Sequence, residues 1–167
     1  LSRMDEPVAD PSILPTYLLS GFARKHVSVA LSGDGGDELF AGYDTFAAMP
    51  LAKIYSRLVP GPAHHGFQAL ANRLPKSTSN LSFDFKLRMA LRGLDHAEPL
   101  WHAAWLAPAN LKEISTLMRR EITSAEIYGD VEDLWHNCAS TNSTDRALEY
   151  YARYYLGGDI LPKVERA

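Results

Sequence analysis

Three carboxylates, Asp34, Asp37 and Glu38, fall within five consecutive residues and share that stretch with Gly33, Gly35 and Gly36. Acids packed this closely repel one another unless a cation or a hydrogen-bonded partner sits among them. Hard oxygen donors of this kind suit Mg²⁺, which binds through one or two carboxylates and completes its shell with phosphate and water. Three glycines in four positions let the backbone bend sharply and let a flat or charged group approach the main chain. The chemistry indicated is the handling of magnesium-bound phosphate; an acidic, glycine-rich turn that simply caps a helix is the plainer reading of the same residues. Spacing excludes several familiar loops. A P-loop needs a Lys after its last glycine, and none is present. The dinucleotide pattern fails because Glu38 stands where its third glycine belongs, and the ligand spacing of a calcium loop is missing.

Such a loop needs elements to hold it. Val27 to Leu31 is small, apolar and rich in β-branched residues, and it runs straight into the glycines, as a short buried strand does at its end. Beyond the loop, Asp37 and Glu38 suit the first turn of a helix, and Leu39 and Phe40 begin a buried face. The order strand, loop, helix puts the loop at the carboxyl end of a strand, the edge where open α/β sheets bind ligands. Ahead of the strand, Ser12 can cap a helix reaching about Lys25, with Ile13, Leu14, Tyr17, Leu18 and Phe22 near one face and Pro15 in the first turn. That helix and strand read as half of a right-handed crossover whose other strand lies outside this sequence.

Ser32 to Tyr43, Ser-Gly-Asp-Gly-Gly-Asp-Glu-Leu-Phe-Ala-Gly-Tyr, resembles the signature of the synthetase domain of glutamine-hydrolysing asparagine synthetases. Asp5-Glu6-Pro7 and Ala9-Asp10-Pro11-Ser12 fit the same pattern. So does the tail, Tyr155-Leu156, Asp159-Ile160-Leu161, Lys163 and Glu165-Arg166-Ala167, where the family usually has Lys-x-Asp-Arg. Pro162 and Glu165 depart from that pattern, and Gly157-Gly158 replaces a commoner proline-containing step. The resemblance implies an α/β fold of the adenine-nucleotide α-hydrolase-like, PP-loop ATPase type. This piece of it would be mostly α-helical, with one or very few short parallel strands. It further implies ATP and Mg²⁺ as cofactors and aspartate as the carboxylate that attacks the α-phosphorus. The aspartyl-adenylate so formed is then displaced by ammonia, which a separate glutaminase domain takes from glutamine. Matched residue by residue, Ser32, Gly33, Gly35 and Gly36 would lie against ATP and Asp37 would bear on Mg²⁺ and pyrophosphate. Asp34, in a place often held by Glu, would support adenylate formation or take a proton from ammonia. Lys163 would neutralise phosphate charge, a structural ion pair to a carboxylate being the other reading.

A hydrophobic content of 46% with 22% charged residues is ordinary globular composition, and 167 residues can bury one sizeable core. A net charge of −3 gives no reason to expect nucleic acid or an anionic membrane as partner. The single Cys138 precludes an internal disulfide and fits a reducing cytoplasm, and no apolar run is long enough to span a bilayer. A homodimer is left open. Leu1 in place of Met and the abrupt finish at Ala167 suggest a piece, residues 1–167, of a longer synthetase. The Ser-Gly-Gly-x-Asp-Ser loop that binds pyrophosphate in this family is not in the sequence, nor is a glutaminase domain, so the piece alone is expected to be inactive.

The rest reads as helices. One runs from about Asp37 to Met49 and resumes from Lys53 to Leu58 after Pro50, and Pro60-Gly61-Pro62 breaks it. Another covers His65 to Arg73, with a loop from Leu74 to Asn80. Ser82 or Asp84 caps a basic helix to Gly93, whose Lys86, Arg88 and Arg92 form a solvated face or meet phosphate. Ala97 to Leu106 carries Trp101 and Trp105 on one face, which suits a core. Asn110 opens a helix to about Arg119, and Asp130 to Cys138 forms a short one. Ser143 or Thr144 caps a helix from Arg146 to Leu156, in which Tyr150, Tyr151, Tyr154 and Tyr155 make an aromatic stripe packed on the nucleotide domain. Gly157-Gly158 ends it, and Asp159 caps the last. Scattered histidines exclude a zinc centre, and no G-x-S-x-G or Cys/His pairing supports a hydrolase. Two other readings remain: a related amidotransferase or β-lactam-synthetase-like enzyme acting on another carboxylate, and a non-catalytic helical interaction module.

Overall fold

The computed structural model describes residues 10–75 and 82–166. The Asp5-Glu6-Pro7 motif and Ala9, most of the loop before Ser82, and Ala167 lie outside the described residues. The helices in chain order are α1 (Ile13–Ala23), α2 (Gly36–Phe40), α3 (Asp44–Leu58), α4 (Gly61–Arg73), α5 (Phe83–Gly93), α6 (Trp101–Leu106), α7 (Leu111–Met118), α8 (Ser124–Asn137), α9 (Ser143–Tyr150) and α10 (Leu161–Arg166). A 3₁₀ turn at Glu98–Leu100 leads into α6, and a π-helical segment, Tyr151–Ile160, joins α9 to α10. The mostly helical expectation is met. The strand is not: among the described residues there is none, and Val27 to Leu31 is non-helical chain with Val29 80% and Leu31 98% exposed. A strand exists only through a neighbour's ladder of hydrogen bonds, and no described segment supplies that ladder.

Two units divide the chain, residues 1–43 with 140–167 and residues 44–139. In the first, α1 packs on α10, and α2 packs on the π segment. α1 starts through Asp10 rather than Ser12. Asp10 Oδ1 accepts the Ser12 N–H at 2.8 Å and its Oδ2 accepts the Ser12 hydroxyl at 2.6 Å, so Ser12 makes no side-chain cap. The apolar residues of α1 are not a buried face here, since Leu14, Leu18, Leu19 and Phe22 are all more than half exposed. The expected helix from Asp37 to Met49 is interrupted: Ala41 takes the left-handed conformation (φ 57°) and closes α2 after five residues. At the other end, Gly157-Gly158 do not stop the chain. Neither takes a positive φ, and the π segment runs through both, so Asp159 lies inside it rather than capping α10. Stretches of π-helix are rare and concentrate at functional sites.

In the second unit α3 continues through Pro50, losing one backbone donor without breaking. Prolines 60 and 62 begin α4 instead of merely separating helices, which extends the helix expected from His65 back over His64. Met49, Ala52, Trp101 and Trp105 form the buried cluster with Phe46 and Leu94 against it, so the tryptophan pair is core. Each indole N–H finds a carbonyl, Trp101 that of His96 at 3.0 Å and Trp105 that of Ala90 at 3.2 Å. Asn110 caps α7 through a reciprocal pair with Glu113. The helix expected from Asp130 begins at Ser124, capped by Thr123 with Glu126 in the same reciprocal arrangement, a signature legible in Thr-x-x-Glu. Ser82 occupies the N-cap of α5 without a side-chain cap bond, and Asn142, not Ser143 or Thr144, caps α9. The basic residues of α5 divide: Lys86 is solvated, as expected of an exposed face, while Arg88 and Arg92 are half-buried. Lys86 pairs with Asp44 at 3.0 Å, Arg88 pairs with the buried Asp84, and Arg92 donates to the carbonyls of Ala104 and Ala107.

Candidate functional site

Gly33 and Gly36 close a tight turn, the Gly36 N–H reaching the Gly33 carbonyl at 3.1 Å. Gly35 is its third residue, at φ 90° and ψ −12°, a conformation that glycine adopts without strain. Open space beside Gly33 and Gly36 leaves their main chain approachable. Beneath the turn, Leu156 of the π segment stands 3.6 Å from where a Gly35 side chain would begin.

Each of the three carboxylates has found a different surrounding. Asp34, exposed, accepts the Ser32 hydroxyl at 2.6 Å. Asp37, also exposed, lies so close to Gly42 that a Cβ there would overlap its carboxylate. Glu38 turns inward and is 2% exposed, accepting a hydrogen bond from the phenol of Tyr43. The repulsion inherent in the sequence is thus relieved locally. Tyr43 stacks on the fully buried Tyr151, ring centroids 5.1 Å apart at 23°, and meets Tyr155 edge-on at 6.0 Å. Tyr151 and Tyr155 of the tyrosine stripe therefore pack against the end of the glycine-rich motif. Burial, then the bond and charge of Glu38, hold the Tyr43 phenol far above its usual range, so it stays a donor.

Lys163 is brought to Asp10 and Ser12, with Nζ 2.7 Å from Asp10 Oδ2 and 2.8 Å from the Ser12 hydroxyl, rather than to Asp34 or Asp37. Burial opposes both charges, but the hydrogen bonds outweigh it and leave Asp10 lowered and Lys163 raised. Burial, and then the Asp10 charge, raise the neighbouring Asp159. Tyr155 feels both clusters: burial first, then Asp159, Asp10 and Glu38 raise it while Lys163 pulls it down. Among the described residues no group of three or more His, Cys, Asp or Glu side chains could cage a metal. Asp37, the carboxylate expected to bear on Mg²⁺, is exposed, as one that shares a cation with phosphate and water must be. Glu38, Gly42 and Tyr43 have roles here that the sequence did not assign; the Ala-Gly-Tyr that follows α2 was the available signal.

The second unit holds a cavity of about 390 Å³ walled by α4, α5 and α7, including Gln68, Arg88, Arg92 and Asp95. Asp95 also accepts from Gln68 at 2.6 Å and lies 3.0 Å from Nε2 of the buried His64, whose Nδ1 is 3.0 Å from the Tyr55 hydroxyl. No helix among the described residues is long and apolar enough to cross a membrane.

Known proteins resemble this sequence, some along nearly all of its length. A protein of Mycobacterium tuberculosis provisionally named as a glutamine-hydrolysing asparagine synthetase is 29% identical over 163 residues, covering 98% of this chain and 24% of its own length. Asparagine synthetase (glutamine-hydrolysing) 1 of Bacillus subtilis is 46% identical over 59 residues, 35% of this chain and 9% of its own. The chain thus spans about a quarter of the length of the first of these relatives and less of the second. No solved structure matches it. The asparagine synthase family model matches residues 1–167, and with the glycine turn and its carboxylates in place the chain belongs to the asparagine synthase family.

Proposed function

We propose that this chain is the nucleotide-handling part of a ligase that makes asparagine from aspartate, using ATP and glutamine-derived ammonia. The observation that carries this reading is the turn at Gly33–Gly36, approachable at its backbone and flanked by the exposed carboxylates of Asp34 and Asp37. The aspartate side-chain carboxylate attacks the α-phosphorus of ATP, the bond to the bridging oxygen breaks, and pyrophosphate leaves. Ammonia then attacks the activated carbonyl, loses a proton and expels AMP. Ser32, Gly33 and Gly36, all exposed, offer main chain to the nucleotide, whereas Gly35, also expected there, is buried over Leu156 and instead sets the turn. Asp37 holds Mg²⁺, which when bound neutralises charge on the leaving pyrophosphate. Asp34 supports adenylate formation or takes the proton, its carboxylate kept in place by Ser32. Lys163 serves the phosphates only by exchanging its bond to Asp10 for one to phosphate. In the whole protein Val27 to Leu31 joins a parallel sheet of the PP-loop ATPase type, a glutaminase domain supplies ammonia, and the enzyme works in the cytoplasm.

The test is to assay the full-length protein for asparagine and AMP from aspartate, Mg-ATP and glutamine. Product that disappears with Asp37→Ala supports the reading. AMP release that depends on another carboxylate, and not on aspartate, would assign the chain to a related amidotransferase.

A further inference from the structure

We propose that Tyr43 is a positioning residue that holds Glu38 inside the protein, so that two carboxylates of the glycine-rich loop, rather than three, are offered to magnesium-bound phosphate. The inference rests on the nucleotide reading above and concerns what keeps that loop fit for an anionic ligand. The left-handed turn at Ala41 (φ 57°, ψ 41°) closes α2 and reverses the chain, so Tyr43 reaches back to Glu38 in the middle of that helix. The tyrosine is itself fixed, stacked on Tyr151 and edge-on to Tyr155. A buried carboxylate stripped of its donor bears the full cost of desolvation. Relief comes by turning out into the solvent that already surrounds Asp34 and Asp37. There a third negative charge repels the phosphates directly and competes with them for the divalent ion.

Tyr43→Phe in the full-length protein removes the donor and keeps the ring that stacks on Tyr151. The expected result is a Kd for Mg-ATP raised about tenfold, measured by calorimetric titration. Tyr43→Phe combined with Glu38→Gln, which has no charge to expel, is expected to return to within about twofold of the parent protein. Glu38→Asp breaks the same bond from the other side, being too short to reach Tyr43, and is expected to weaken binding by the same factor; it decides the matter if Tyr43→Phe does not fold. A purely structural bond would lower the melting temperature and leave the Kd of folded protein unaltered, with no rescue by Glu38→Gln, and that result overturns the inference alone. A parent protein that fails to bind Mg-ATP overturns the nucleotide reading and the inference with it.

Discussion

Lys163 Nζ sits 2.7 Å from Asp10 Oδ2, a pair separated by 153 positions in sequence and joining the start of α1 to α10. Both side chains are mostly buried, 12% and 20% exposed, and each shifts in the direction that favours its charged form. Asp10 is held below its ordinary 3.8, so its contribution is present above that pH and lost as pH falls through the lowered value. Lys163 is held above its ordinary 10.5, so its contribution is present below that pH and lost as pH rises through the raised value. Lys163→Met is expected to cost ~1–2 kcal/mol at neutral pH and to flatten both arms of stability against pH, read by urea unfolding.

His102 is buried beside Phe46 and Trp105, with ring centroids 4.9 and 5.3 Å away, and burial lowers its pKa to about 4. Once unfolded it protonates below its ordinary 6.5, so between about 6.5 and 4 the unfolded chain holds the extra proton. Stability from this group is therefore complete above that window and falls on acidification, by at most ~3 kcal/mol. His102→Phe is expected to remove this dependence; an unchanged acid slope would show that another group is responsible.

Gly42→Ala puts a methyl group into the Asp37 carboxylate. Gly42 has no positive φ, so its own backbone tolerates alanine; the closest clash is with the Asp37 carboxylate, and the Asp37 Cα at 3.0 Å must give by a few tenths of an ångström. Mg-ATP binding by the full-length protein is expected to weaken several-fold while the melting temperature moves little. A large loss of stability with binding intact would show that Asp37 is not the group displaced.

Thr123 accepts the Glu126 N–H and receives that residue's carboxylate on its own N–H at 2.8 Å. Thr123→Ala is expected to cost ~1 kcal/mol, seen as a shift of the urea midpoint with unchanged slope. A shift indistinguishable from zero would mean that the Glu126 carboxylate, held by the Thr123 backbone N–H and by Arg120 at 2.7 Å, suffices to start the helix.

The 167-residue chain by itself is expected to release no AMP in the presence of aspartate, Mg-ATP and ammonia. It has no Ser-Gly-Gly-x-Asp-Ser sequence to bind pyrophosphate. Aspartate-dependent AMP from purified material of this length would show that the described loop suffices.

What the sequence determined on its own was whatever depends on neighbours in the chain. Glycine at position 35 permits the left-handed turn, Asn110 with Glu113 and Thr123 with Glu126 start helices within a single turn, and Trp101 and Trp105 share a helical face that had to be covered. Tertiary structure decided what depends on partners distant in sequence. Val27 to Leu31 has a strand's residues, but a strand exists only beside another. Gly157-Gly158 permitted a stop, yet the chain stayed helical with Leu156 against Gly35, Tyr151 beneath Tyr43 and Lys163 on Asp10. The three acids of the loop were a single cluster in sequence. Folding gave them different surroundings, because only the tertiary contacts of Tyr43 with Tyr151 and Tyr155 place a donor over Glu38 and leave Asp34 and Asp37 exposed.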